Sequence, residues 1–277
     1  MATPGSRTLR LTLEYDGTDF YGWQVQPDRR TVQGEVERAI ADVSQERVRI
    51  HGASRTDAGV HATGQVASFA SSSRLAADAM KKALNAVLAE DVSVVGCEEV
   101  AEGFHARHDA KGKHYRYTIL NRVEPSPLAR RTSLHVRDEL DLAAMHEGAQ
   151  AVLGEHDFRG FETDTSARYN ELEEKGHSTE RASVRRIHAA RFARVAPSLL
   201  AFDIAGTGFL YNMIRALVGT LLQVGRGKRP ASDVAAIVDQ QAGAARARAL
   251  AGPTCPPTGL CLVKVFYGEE ASIPILA

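Results

Sequence analysis

The sequence predicts an α+β chain built from two ferredoxin-like, RRM-like halves, each ordered βαββαβ. Three observations carry that expectation. Short runs with apolar residues at every second position read as half-buried strands. Between them, apolar residues at three- and four-residue spacing read as amphipathic helices. The order of elements in residues 8–100 then recurs in residues 114–267, with no convincing residue-level repeat beneath it.

The first strand is expected over Thr8–Tyr15, where Leu9, Leu11, Leu13 and Tyr15 alternate with polar residues. Asp16-Gly17 turns the chain. A helix follows from Val32 to Val43, with Val36, Ala39 and Ile40 on its apolar face and Thr31 placed to cap it. Strands at Arg47–His51 and Gln65–Ala70 flank a glycine-rich segment. A helix over Ala76–Leu88, striped by Met80, Leu84 and Val87, and a strand over Val92–Val100 close the first half. In the second half, a strand at His114–Leu120 precedes a helix at Leu142–Leu153. Strands at Val184–Val195 and Leu199–Ala205 meet at a Pro197-Ser198 turn. A long apolar helix over Phe209–Val224, a helix from Ser232 and a strand over Leu260–Tyr267 complete it. The boundary falls within residues 100–112, giving an N-terminal half, 1–105, and a C-terminal half, 106–277. Residues 162–180 are polar and charge-rich without periodicity and read as a mobile loop.

The chain has 277 residues, 44% hydrophobic and 25% charged, within the ordinary range of a soluble globular protein. It contains no run of about 18 apolar residues, so no membrane span is expected. Residues Met1–Ser6 lack the apolar core of a signal peptide. Cys97, Cys255 and Cys261 are odd in number and have no CxxC spacing, which argues against a disulfide framework or a zinc site. The expectation is a cytoplasmic, reduced protein with no metal and no cofactor. Net charge is zero, but charge is unevenly placed. Phe104–Arg131 holds seven Lys/Arg against two acids, Arg181–Arg194 holds five Arg and no acid, and Ile204–Ser232 holds four basic residues and no acid. Local basic footprints are what phosphate contacts need, whatever the total. The bland alternative for each is a solvated face balanced by acids nearby in space.

The chemistry-bearing segment is Gly52–Gly64, reading GASRTDAGVHATG. It sets Asp57 in a glycine-rich loop between two strand-like runs, with Arg55 before it and His61 after it. Such a loop in a compact domain is a candidate functional loop. On local chemistry alone, Asp57 is equally well read as a turn-capping carboxylate. His51, His61, His105, His108 and His114 form no HExxH-like set, so metal binding is not expected.

Five segments, in order, resemble the TruA family of tRNA pseudouridine synthases. They are Glu14–Gly17 with Phe20–Gln24; Arg55–His61; Phe104–Arg107 with Tyr115–Tyr117; Gly208–Arg215 with Gly219–Leu221; and Pro257–Leu260 with Leu262–Val265. The family's connection at residues 162–180 is usually shorter. The resemblance implies two similar halves about a central antiparallel sheet with the active cleft between them. It implies isomerisation of tRNA uridines in the anticodon stem-loop, no cofactor, and a homodimer that binds tRNA. It implies Asp57 as the catalytic carboxylate, Arg215 as its ion-pair partner and Tyr115 as the ring on which uracil stacks. Arg55 is implied to reach the RNA, and Arg107 and Lys113 are further candidate RNA contacts. A free Asp has a pKa of about 3.9, and burial would raise it, so a nearby cation is needed to keep Asp57 charged. Tyr115 and Tyr117 share a strand face, so spacing cannot choose between them.

Two other functions compete. A non-catalytic RNA-binding protein with two RRM-like halves would show an RNP1 strand, and Tyr115-Arg116-Tyr117 lacks its Lys/Arg-Gly-Phe start. A hydrolase using Asp57 would need a phosphate loop, metal ligands or a nucleophile motif, none of which is present.

Overall fold

The computed structural model describes residues 5–163, 182–238 and 248–268. The expected loop at 162–180 lies outside them, save Glu162 and Thr163. The chain forms two compact units. The first comprises Met1–Lys113 and Cys261–Ala271, the second His114–Leu260 and Ser272–Ala277. The division therefore lies beyond the expected 105/106 boundary, and the last strand returns to the first unit.

The first unit contains β1 (Arg7–Tyr15), α1 (Val32–Ser44), β2 (His51–Gly52), β3 (His61–Ser71), α2 (Ala77–Val87), β4 (Val92–Val100) and β10 (Leu260–Phe266). Its sheet order is β4-β1-β3-β10, with β2 on β3. β1 runs antiparallel to both β3 and β4, whereas β10 joins β3 in parallel through Cys261↔His61 and Leu262↔Ala62. Leu9, Leu11 and Leu13 are wholly buried, as alternation requires, and Val32, Val36, Ile40, Met80 and Leu84 are wholly buried with them. Thr31 caps α1 as expected, its hydroxyl accepting the Gly34 N–H at 3.3 Å. The strand expected at Arg47–His51 shrinks to two residues because the Ile50 N–H is taken by the Glu37 carboxylate (3.0 Å) rather than by a neighbouring strand.

The second unit contains β5 (Gly112–Asn121, which opens at the boundary), β6 (Leu134–Val136), α3 (Leu142–Gln150), β7 (Gly154–Asp157), β8 (Val184–Ala196), β9 (Leu199–Gly206), α4 (Met213–Gly225) and α5 (Ser232–Val238). Its sheet order is β5-β9-β8-β7, with β6 parallel to β5. The β8–β9 hairpin turns at Pro197-Ser198 as expected. β6 and β7 were not expected; at three and four residues they are too short for a period to register. The apolar helix begins at Met213 rather than Phe209, because Asn212 sits in the left-handed region (φ 59°) and breaks the helix before it. The fold class is nonetheless the expected one, α+β with mostly antiparallel sheets. Among the described residues no helix is long and apolar enough to cross a membrane.

Candidate active site

Between β2 and β3 the chain leaves the ladder, and side chains take over the pairing. Gln65, wholly buried on β3, accepts the Ser54 N–H (3.2 Å) and donates to the Ser54 carbonyl (2.7 Å). The Tyr15 hydroxyl meets Thr56 Oγ1 at 2.7 Å, and the Trp23 N–H donates to the Thr56 carbonyl at 3.0 Å. Beyond Asp57, the Gly59 N–H donates to the Phe20 carbonyl, and the Gly17 N–H donates to His61 Nδ1 at 3.1 Å. That bond makes His61, 7% exposed, a brace of the loop. Asp57 is thus half-buried at the tip of a loop held on both flanks by residues 15–23. Two of the resembling segments are therefore one device: the first immobilises the second. Gly22 is part of it. It has φ +85°, and a Cβ there would lie 2.7 Å from the Thr56 carbonyl oxygen and 3.1 Å from the Ala58 nitrogen, so only glycine lets the two segments meet.

Arg55 and Arg107 line one open cavity of about 310 Å³, together with Arg49, His51, His105 and His108. Its floor is Trp23, whose indole lies so close over Gly52 that any side chain at 52 would collide with it. The Phe104–Arg107 segment is fixed by Ala106. Its N–H donates to Ser68 Oγ (3.0 Å), and its carbonyl accepts from the Tyr267 hydroxyl (2.6 Å).

The remaining expected site residues belong to the second unit, except Lys113, which is half-buried at its edge. Tyr115 is 5% exposed, with its ring edge-on to Phe209 at 5.3 Å. Tyr117 is wholly buried and its hydroxyl donates to the Pro256 carbonyl at 2.8 Å; burial pushes that phenol far up. Of the two tyrosines, Tyr117 is therefore a core residue with an engaged hydroxyl. Arg215, in the first turn of α4, is half-buried. Its Nε donates to the Cys255 carbonyl (2.7 Å) and its Nη1 to Asn212 Oδ1 (2.6 Å), which fixes the guanidinium's orientation.

One buried constellation escaped the sequence reading. Asp203, 1% exposed on β9, accepts from Arg116 Nε and Nη2 (both 2.9 Å) and lies 2.7 Å from His114 Nε2. Burial raises the carboxyl's pKa, but the bonds to His114 and Arg116 outweigh it and hold the group below its ordinary range. The partners lie almost ninety residues apart in sequence, and no local pattern signals them. They also correct the basic-footprint reading. Arg116 faces Asp203, Arg226 pairs with Asp138 (2.6 Å), Arg229 with Asp233 (3.5 Å) and Arg186 with Glu155 (3.5 Å). For these four, the bland alternative of balancing acids holds.

A half-buried carboxylate on a braced loop, on an α+β scaffold, defines a candidate acid–base or nucleophilic centre. The comparisons make it specific. The family model for tRNA pseudouridine synthase matches residues 12–109 and 149–268. The chain is 43% identical over 261 residues to tRNA pseudouridine synthase A 2 of Clostridium perfringens, covering 94% of this chain and all of that one. It is 44% identical to tRNA pseudouridine synthase A of Geobacter sulfurreducens over the same shares. It is 43% identical to that of Myxococcus xanthus, covering 96% of this chain and 95% of that one. The chain belongs to the tRNA pseudouridine synthase family. It is an isomerase that converts uridine to pseudouridine, and the non-catalytic RNA-binding and hydrolase alternatives fall.

Proposed function

We propose that the enzyme modifies uridines at the conventionally numbered positions 38, 39 and 40 of the tRNA anticodon stem-loop, with Asp57 as its catalytic carboxylate. The observation that carries this reading is the bracing of the Asp57 loop by residues 15–23, since a reacting group must be held to sub-ångström tolerance. The reaction breaks C1′–N1 and forms C1′–C5. N1 gains a proton and the C5 hydrogen is lost, so the change is redox-neutral and needs no external group. The Asp57 carboxylate acts as nucleophile, at C1′ or C6, or as base at C2′. Arg215 keeps it ionised. Tyr115 offers the flipped uracil a π-face. Arg55, Arg107 and Lys113 contact the RNA backbone, which suits recognition by shape rather than sequence. The enzyme works in the cytoplasm as a homodimer, as the family resemblance implies, without metal.

The test is to treat an unmodified tRNA transcript with wild type and with Asp57→Asn, then map pseudouridines by carbodiimide adducts and primer extension. Stops confined to positions 38–40 with wild type, and none with a folded Asp57→Asn, are the expected result. Stops elsewhere would refute the positional assignment, and stops with the variant would refute the role of Asp57.

A further inference from the structure

The cavity beside the Asp57 loop holds a cluster that the isomerisation does not use. The rings of His51 and His105 stand 4.7 Å apart between centroids, and those of His105 and His108 stand 4.1 Å apart. His105 Nδ1 accepts two backbone N–H groups, from Arg107 (3.2 Å) and His108 (3.3 Å). Its own ring proton is therefore on Nε2 when the ring is neutral. Among the described residues, no hydrogen bond or ion pair engages the guanidinium of Arg55 or of Arg107. Among the described residues no carboxylate lines the cavity.

The carboxylates around the cavity stand outside its lining and are already hydrogen-bonded. The nearest carboxylate on α1, Glu37, is taken by the Ile50 N–H (3.0 Å) and the Gln33 amide (2.8 Å), with Arg49 at 3.9 Å. Gln33, a wall residue, has its carbonyl occupied by Gln24 and by the Val25 N–H. Asp109 is bound to the His105 N–H at 2.8 Å. Burial, with the neighbouring His108 and His51, makes His105 harder to protonate. Arg55, Arg107 and three histidines therefore converge on a lining that contains no carboxylate, which suits a solute anion. About ten waters fit in the volume, room for a phosphate with its sugar.

We infer that this cavity is a phosphodiester site for a nucleotide flanking the target uridine, with His51, His105 and His108 joining Arg55 and Arg107 as its donors. The inference rests on the tRNA-modifying reading, because Arg55 lies two residues from Asp57 and ties the cavity to the reacting loop. A bound phosphate favours the protonated forms of His51 and His108, while His105 donates from Nε2 as the neutral ring. Affinity for tRNA should then rise as pH falls through the histidine range.

The test measures tRNA affinity of the full-length wild type and of the His51→Ala/His108→Ala double variant by filter binding. Salt is varied from about 50 to 300 mM and pH from about 8 to 6. The double variant should bind roughly five- to tenfold more weakly, lose about one from the log–log salt slope, and lose the gain at low pH. Histidine ring NMR of the wild type, titrated with inorganic phosphate and with tRNA, separates the two anion sources. Shifts of the three rings with tRNA are expected. Shifts with inorganic phosphate alone would show an anion site that RNA does not use and would overturn the inference. So would equal affinity and slope in both proteins, given matching melting temperatures. If that variant melts early, the His51→Gln/His108→Gln double variant carries the same expectation. Tritium release by wild type from tRNA containing 5-tritiated uridine is measured alongside. Its absence would sink the functional reading, whereas its presence with unchanged variant affinity would sink only the phosphate site.

Discussion

A carboxylate that attacks carbon or removes a proton must arrive ionised, and a closed active site works against this by excluding water. The role proposed for Arg215 is to offset that cost. Its guanidinium is already oriented by the Cys255 carbonyl and Asn212, so little side-chain freedom remains to be lost. Arg215→Met should lower the single-turnover rate by roughly a hundredfold or more while shifting tRNA affinity by less than about threefold. Equal damage to both would argue against an Asp57 partner. Asp203 carries the opposite kind of role. Asp203→Ala would leave His114 buried without its carboxylate partner and should cost about 3–5 kcal/mol in urea unfolding. The pH dependence follows from the lowered pKa. The stabilisation is full above the ordinary aspartate range and is lost as pH falls through the depressed folded-state value. Wild-type unfolding should therefore steepen only on strong acidification, and the Asp203→Ala profile should be flatter there.

At the scale of elements, the Asp57 loop is rigid because backbone and side chains on its two flanks are committed to β1, Phe20, Trp23 and β3. Gly22→Ala should destabilise the protein by roughly 1–3 kcal/mol, through positive φ and backbone collision. It should also reduce turnover beyond what the unfolded fraction explains, since the collision is with the backbone of Thr56–Ala58. Melting curves and turnover measured at a fully folded temperature check both. Much of this level was legible in the sequence. Leucine alternation marked β1, the Thr31 cap and apolar stripe marked α1, and Pro197-Ser198 marked the β8–β9 turn. What failed did so for definable reasons. Apolarity alone predicts a helix from Phe209 and cannot register that Asn212 adopts a left-handed conformation. The pairing of β10 with β3 joins residues some two hundred positions apart, and no periodicity encodes a partner.

For the whole molecule, zero net charge coexists with a nucleic-acid substrate because charge is sorted locally. Sequence counts find the basic runs but cannot tell members balanced by acids, such as Arg116 and Arg226, from those with no acidic partner among the described residues, such as Arg107. Likewise, motif resemblance singles out Asp57, Tyr115 and Arg215 as expected site residues, while the histidine cluster is visible only as scattered letters. Asp57 is the residue proposed to carry out the isomerisation of uridine. Joining C5 to C1′ expels the C5 hydrogen, so tritium release from tRNA carrying 5-tritiated uridine reports the reaction directly. Wild type should release tritium, and Asp57→Ala, folded and still binding tRNA, should release it slower by on the order of 10⁴-fold. Release by that variant at a rate near wild type would contradict the account.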